Sequence, residues 1–221
     1  MLPFKICCML STDEADMAIA AGARAIGLVG AMPNGPGPID DGLICDIAAH
    51  VHSRHGDAIW TTLLTSRIEG EAIADHVADT GVNSVQIVDN PNPRAYAAIR
   101  KTHPSLRILQ VIHVEDDAAV AQAVEAAEHA DVILLDSGKP SAAVRTLGGT
   151  GDVHDWSVSR RIVEAVKKPV FLAGGLNPRN VADAIAAVRP YGVDICSGLR
   201  DSSYRLVQTK LDAFVSALET K

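Results

Sequence analysis

Two glycine-bearing segments in the last third of the chain have the composition of an anion cradle: LAGGLNPRNV at Leu172 to Val181 and SGLRDS at Ser197 to Ser202. Gly174 and Gly175 allow close backbone approach, and Asn177 with Pro178 reads as a helix N-cap followed by its first residue. Ser197 and Gly198 lead into a second short turn. Neighbouring helix N-termini fed by such segments offer N–H groups and positive dipole ends to a phosphate. The alternative is that these glycines serve only to turn the chain. Upstream, DVILLD ends in Asp136 and runs into SGKPSAAVRTLGGTGDVHD, a loop whose Gly148, Gly149, Thr150 and Gly151 could close over a ligand. Asp136 there is either a carboxylate poised for proton transfer or a loop cap paired with Lys139. Near the N-terminus, FKICC carries Cys7 at the end of a short apolar run. As a thiolate it is a base or nucleophile, and as a thiol it is a small buried apolar group. His50, His52 and His55 scatter around a helix instead of sharing a face, which argues against a metal site. His113 closes another apolar run and is either a site residue or a structural one.

Residues this far apart need a scaffold that collects strand ends. Short β-branched runs recur along the chain: FKIC near 4, AIGLV near 25, AIWTTLL near 58, SVQIV near 84, RILQVIHV near 107, DVILLD near 131, PVFLAGG near 169 and VDICSG near 193. Between them lie stretches with helical spacing of apolar residues, including Asp13 to Gly22, Glu69 to Gly81, Asp116 to Ala130, Trp156 to Lys167 and Asn180 to Val188. Strict alternation of strand and helix implies parallel pairing through crossover helices. Eight such units, with no GxGxxG after the first strand, predict an α/β fold of one (β/α)8 TIM barrel spanning residues 1–221 as a single domain. The long loops, Gly30 to Asp41 and Ser137 to His154, both follow the carboxyl end of a strand, where barrel sites are built.

Composition narrows the partners. The chain has 221 residues, 48% of them hydrophobic, and a formal charge of -7 without a basic tract, so nucleic acid is a poor partner. The N-terminal apolar run is interrupted by Lys5 and is too short for a signal sequence or a membrane span, which places the expected protein in the cytoplasm and off the membrane. Cys7, Cys8, Cys45 and Cys196 show no CxxC spacing, so reduced thiols are expected, with neither disulfide framework nor zinc. Periodicity does not set the oligomeric state; a homo-oligomer is compatible.

With these residues in place, the chain resembles the phosphoribosylanthranilate isomerases of tryptophan biosynthesis. The likeness runs through KIC at Lys5 to Cys7, LLDS at Leu134 to Ser137, GGTG at Gly148 to Gly151, DW at Asp155 and Trp156, LAGGLNPRNV, and VDICSG at Val193 to Gly198. It implies an Amadori rearrangement of an N-linked phosphoribosyl anthranilate to a 1-amino-1-deoxyribulose phosphate, with no cofactor and no metal. It also implies that Asp136 is the general acid that opens the furanose and Cys7 the general base that takes the C2 proton. The phosphate would lie against Gly149, Thr150, Gly151, Gly174, Gly175, Ser197 and Gly198, with Lys5, Gln86, His113 and Arg200 as further substrate contacts.

The sequence departs from that family at four places. Cys8 follows the KIC cysteine where glycine is usual. GAMPNGPGPIDD replaces the segment whose arginine pairs with the anthranilate carboxylate; Arg67, Lys139 and Arg145 are the substitutes to consider. Val88 stands where the fourth strand usually ends in histidine, and Arg200 stands where an acid is expected, either on the phosphate or in solvent. Two other readings therefore accompany the isomerase: a paralogue that isomerises another phosphorylated aminosugar, and a non-catalytic phosphosugar-binding barrel.

Overall fold

The computed structural model describes residues 1–33, 35–138 and 155–219. Eight parallel strands close into a barrel in chain order: β1 (Phe4–Ile6), β2 (Ala25–Val29), β3 (Trp60–Thr65), β4 (Ser84–Ile87), β5 (Arg107–His113), β6 (Val132–Asp136), β7 (Val170–Leu172) and β8 (Gly192–Ile195). Each is followed by a helix: α1 (Thr12–Ala20), α2 (Asp41–His55), α3 (Gly70–Thr80), α4 (Pro93–Thr102), α5 (Ala118–Ala126), α6 (Trp156–Ala165), α7 (Val181–Val188) and α8 (Gln208–Glu219). Closure comes from β8 pairing with β1, with Phe4 opposite Val193, Lys5 opposite Asp194 and Ile6 opposite Ile195. The eight apolar runs of the sequence are the eight strands. Among the described residues no helix is long and apolar enough to cross a membrane.

The period-two geometry of a strand sorts side chains between two cores. On β6, Ile133 and Leu135 join the large apolar cluster shared with the helices, together with Ala119, Ala123 and Ile162. Val132 and Leu134 instead belong to the smaller cluster that fills the barrel with Leu109, Val111 and Phe171. Burying each such side chain contributes roughly 1.5–3 kcal/mol, so the two faces fix the register firmly. Asp136 shares the inward parity of Val132 and Leu134, and sits where β6 emerges at the mouth.

The helix expected from Asn177 begins later. Asn177 Oδ1 accepts from Arg179 N, and its carbonyl accepts from Asn180 N and Val181 N, so these residues form a turn and α7 starts at Val181. The local side-chain bond competes with the helix there. After β2, Pro38 bridges back to Val29, with Ile39 N donating to Val29 O. Asp40 Oδ1 then caps α2 by accepting from Leu43 N.

A second knot ties the mouth together. Arg200, buried after β8, donates to Glu14 Oε2 of α1 at 3.0 Å, to the Tyr204 carbonyl at 2.9 Å and to the Cys7 carbonyl at 2.7 Å. Glu14 also accepts from Leu10 N and Leu206 N. Removing one member strands a buried charge, which typically costs about 3–5 kcal/mol. Arg200→Leu is expected to lower the urea midpoint accordingly, and adding Glu14→Leu to recover part of the loss. A single variant as stable as the native chain would show the pair to be dispensable.

Candidate active site

Cys7 is the first residue past β1, held there by its N–H on the Ile195 carbonyl at 2.9 Å. Its side chain turns into the barrel, where Gly27 of β2 leaves room: a Cβ at that position would stand 2.7 Å from Cys7 Sγ. Lys5 points inward two residues earlier and Asp194 lies opposite it on β8. The Lys5 ammonium donates to Asp194 Oδ2 at 3.0 Å and touches Cys7 Sγ, while the Cys7 thiol faces the same Oδ2 at 3.4 Å. All three groups are buried.

The electrostatics follow from that triangle. Burial alone would push the Lys5 ammonium down, but Asp194 and Cys7 beside it outweigh burial and hold the proton on. Burial pushes the Cys7 thiol well above the ordinary range, and the Asp194 carboxylate pushes it further; the Lys5 charge opposes both. Burial raises the Asp194 carboxyl as well, opposed by the Lys5 charge and by hydrogen bonds from Lys5 and Cys7, so the ammonium faces two acids that compete for one negative charge.

Above the triangle opens a cleft at the mouth of the barrel. Cys7, Asp194 and Asp136 reach it from β1, β8 and β6, and Gly174, Gly175 and Ser197 line it from the ends of β7 and β8. Gly174 and Gly175 have φ of 81° and 62°, a conformation that favours glycine. Two buried acceptors on its wall, Asp194 Oδ1 and Gln86 Oε1, lack a hydrogen-bond partner. Buried oxygens of this kind are commonly satisfied by a ligand hydroxyl or a water.

The structure brings together most of the residues singled out in the sequence, and relocates some. Cys7, Asp136, Gly174, Gly175, Ser197 and Gln86 line one cleft, and Lys5 lies directly beneath it. Gly198 stands behind Ser197: a Cβ there would lie 2.2 Å from the Leu176 carbonyl, so this glycine lets the β7 and β8 loops pack together. His113 is at the rim outside the cleft, its Nε2 on the Val88 carbonyl. Arg200 takes neither of its expected positions, on the phosphate or in solvent, because Glu14 and the Cys7 carbonyl hold it inside. Gly149, Thr150 and Gly151, with Lys139 and Arg145, lie outside the described residues. Arg67 is not in the cleft; its guanidinium donates to the Ala72 carbonyl. His50 pairs with Asp16, and no group of three metal-ligating side chains occurs among the described residues. Asp194 was not among the expected site residues. Its signal in the sequence is a lone acid inside an apolar strand run, matched by a lone Lys5 in another.

Two departures from the family pattern also acquire a physical meaning. Cys8 adopts φ 65°, which explains why glycine is usual after the KIC cysteine. The segment after β2 places Met32, Gly35 and Pro36 on the cleft, and among the described lining residues there is no Lys or Arg.

Known proteins resemble this chain over nearly its whole length. The family model described as N-(5'phosphoribosyl)anthranilate (PRA) isomerase matches residues 68–215. N-(5'-phosphoribosyl)anthranilate isomerase 2 of Methanosarcina mazei is 36% identical over 96% of this chain and 91% of its own length. The enzyme of Haloferax volcanii is 34% identical over 100% of this chain and 94% of its own. Among solved structures, the phosphoribosyl anthranilate isomerase of Thermotoga maritima superposes with a TM-score of 0.80 at 25% identity, covering 98% of each chain. The chain belongs to the N-(5'-phosphoribosyl)anthranilate isomerase family.

Proposed function

We propose that this chain isomerises N-linked phosphoribosyl anthranilate to the corresponding 1-amino-1-deoxyribulose phosphate, with Asp136 as general acid and Cys7 as general base. The observation that carries the assignment is that both side chains open into one cleft beside the glycine loops at the ends of β7 and β8. Those loops seat the phosphate through Gly174, Gly175 and Ser197, and fix the sugar between β6 and β1. Asp136 delivers its proton to the ring oxygen as the amine nitrogen pushes the C1–O bond open, giving a protonated Schiff base. That cation acidifies the C2 hydrogen, which Cys7 removes; the enolamine left behind tautomerises to the ketose. A match over nearly the whole length of isomerase relatives favours this reading over another aminosugar or a non-catalytic barrel.

A neutral thiol is a poor base, so Cys7 must first lose its proton. Asp194 Oδ2 is the acceptor in reach, and the Lys5 ammonium balances whichever of the two holds the negative charge. Moving the proton from Sγ to Oδ2 keeps the total charge of the buried triangle unchanged, which avoids the cost of exporting a proton from a dry site. Asp194 and Lys5 are thus positioning residues that act through Cys7. The two unsatisfied acceptors, Asp194 Oδ1 and Gln86 Oε1, are placed to take sugar hydroxyls.

Acid or base catalysis of this kind contributes typically 10²–10⁴-fold. Asp136→Asn and Cys7→Ala should each lose about that much turnover, followed as the decay of anthranilate-type fluorescence, while a phosphate-bearing product analogue still binds. Near-normal turnover of Asp136→Asn would reject the assignment. The ionisation of Cys7 is read separately, by its iodoacetamide alkylation against pH with the modified residue located by peptide mass. Burial and Asp194 raise this thiol, so the midpoint should lie above the usual value of about 8.5. Asp194→Asn removes one raising cause and should move the midpoint down. Lys5→Met removes the opposing charge and should move it up. Identical midpoints in all three proteins would mean that neither residue acts on the thiol.

A further inference from the structure

The described mechanism leaves two thiols at the barrel mouth without a task, and they face each other. Cys8 and Cys196 come from the adjacent ends of β1 and β8, and their Sγ atoms lie 2.9 Å apart. We propose that Cys8 and Cys196 are a redox modification site, converted by a hydroperoxide into a disulfide that reversibly arrests the enzyme.

Three features separate this pair from two incidental buried cysteines. Cys8 carries its side chain at a φ of 65°, a left-handed backbone that disfavours any residue with a Cβ, and this conformation aims Sγ at Cys196. Its neighbour Gly37 is shaped around it, since a Cβ at 37 would stand 2.9 Å from Cys8 Sγ. Cys196 lines the open cleft and is only partly buried, so a small oxidant reaches it without unfolding.

The two sulfurs also differ in chemistry. The sulfur contact with Cys8, together with Tyr204 Oη at 3.1 Å and the nearby Arg200 guanidinium, holds the Cys196 thiol below its ordinary range against the opposing effect of burial. The contact with Cys196 and burial push Cys8 well above that range. Cys196 is therefore the attacking thiolate and Cys8 the resolving thiol. The Cys196 sulfur attacks one oxygen of hydrogen peroxide; the O–O bond breaks and the other oxygen leaves as hydroxide, protonated to water. Cys8 sulfur, losing its proton, then attacks the Cys196 sulfenic acid. The S–O bond breaks and that oxygen leaves as a second water. Two thiols and one peroxide give one disulfide and two waters, each sulfur oxidised by one electron and each peroxide oxygen reduced by one.

The bond would act on the site by position alone. Shortening the contact to a disulfide of about 2.05 Å draws together the residue after Cys7 and the residue before Ser197. A displacement of that order in a catalytic site commonly costs ten- to a hundredfold, so turnover should fall by about that range. The activity readout rests on the isomerase assignment; the linkage does not, and is measured independently.

The test treats the reduced full-length protein with hydrogen peroxide, blocks remaining thiols with iodoacetamide, and maps peptides by mass. The expected result is a peptide bearing Cys8 joined to one bearing Cys196. It should persist in Cys7→Ser, which removes the other cysteine from the same peptide, and vanish in Cys8→Ser and Cys196→Ser. In parallel, peroxide should inactivate the native enzyme and a thiol reductant restore it, whereas the Cys8→Ser and Cys196→Ser variants should not show thiol-reversible loss. Thermal melts confirm that each variant is folded. Full alkylation of Cys8 and Cys196 after peroxide, or a bond joining Cys7 instead, would overturn the proposal. A mapped Cys8–Cys196 bond that leaves turnover unchanged would overturn the arrest.

Discussion

The ion pair between Lys5 and Asp194 is the constraint around which the rest of the barrel is arranged. Two opposite charges in a closed interior are tolerated only if they meet, since either alone would carry a desolvation penalty of several kcal/mol. They meet because β8 closes on β1 with these two residues opposite each other. A slip of one residue would turn Asp194 toward the helices and leave Lys5 alone inside the barrel. The pair thus specifies the closing register. The same register sets the chemistry, because Cys7 lies two residues beyond Lys5 and Cys196 two residues beyond Asp194, each on the inward face. Closure of the fold and assembly of the Lys5–Cys7–Asp194 triangle are one event.

The glycines extend the same logic. Gly27 has no side chain because Cys7 Sγ occupies the space, and Gly198 has none because the loops after β7 and β8 must touch. Arg200 works at the next level out: by holding the Cys7 carbonyl, Glu14 and the Tyr204 carbonyl together, it anchors the turn that carries Cys7 to α1 and to the loop after β8. Cys7 is located by charge from below, by packing from the side and by backbone hydrogen bonds from above.

Much of this was readable from residue order. Short apolar, β-branched runs located all eight strands, because a strand covered on both faces must be apolar along its length. The ends of two of those runs put Asp136 and Cys7 at the barrel mouth. What residue order does not carry is partnership across the chain. Asp194 is 187 residues from Cys7, and only barrel closure makes them neighbours. Arg200 misled for the same reason: a cation beside a glycine loop suggests phosphate, whereas the acid that claims it sits 186 residues earlier on α1. Asn177 misled locally, since its side chain closed a turn before the helix could start. His113 has inward parity, yet its ring turns onto the Val88 carbonyl at the rim.

The cleft divides into two ends with different duties. The triangle, Asp136 and the glycine loops line one end, where the proposed chemistry takes place. The opposite wall, with Met32, Pro36, Leu64, Val88 and Val111, is apolar and suits the flat face of an aromatic ring. The described lining residues offer no cation to a carboxylate on that ring. Such a carboxylate lies away from C1, C2 and the ring oxygen, and its charge changes little as the furanose opens. Contacts that are equally strong in ground and transition states govern affinity and leave the chemical step untouched. On the proposed mechanism, the absence of a basic residue from the segment after β2 therefore falls on substrate binding and leaves Asp136, Cys7 and the glycine loops unaffected. This physical separation lets one end of the site drift from the family pattern while the other keeps it.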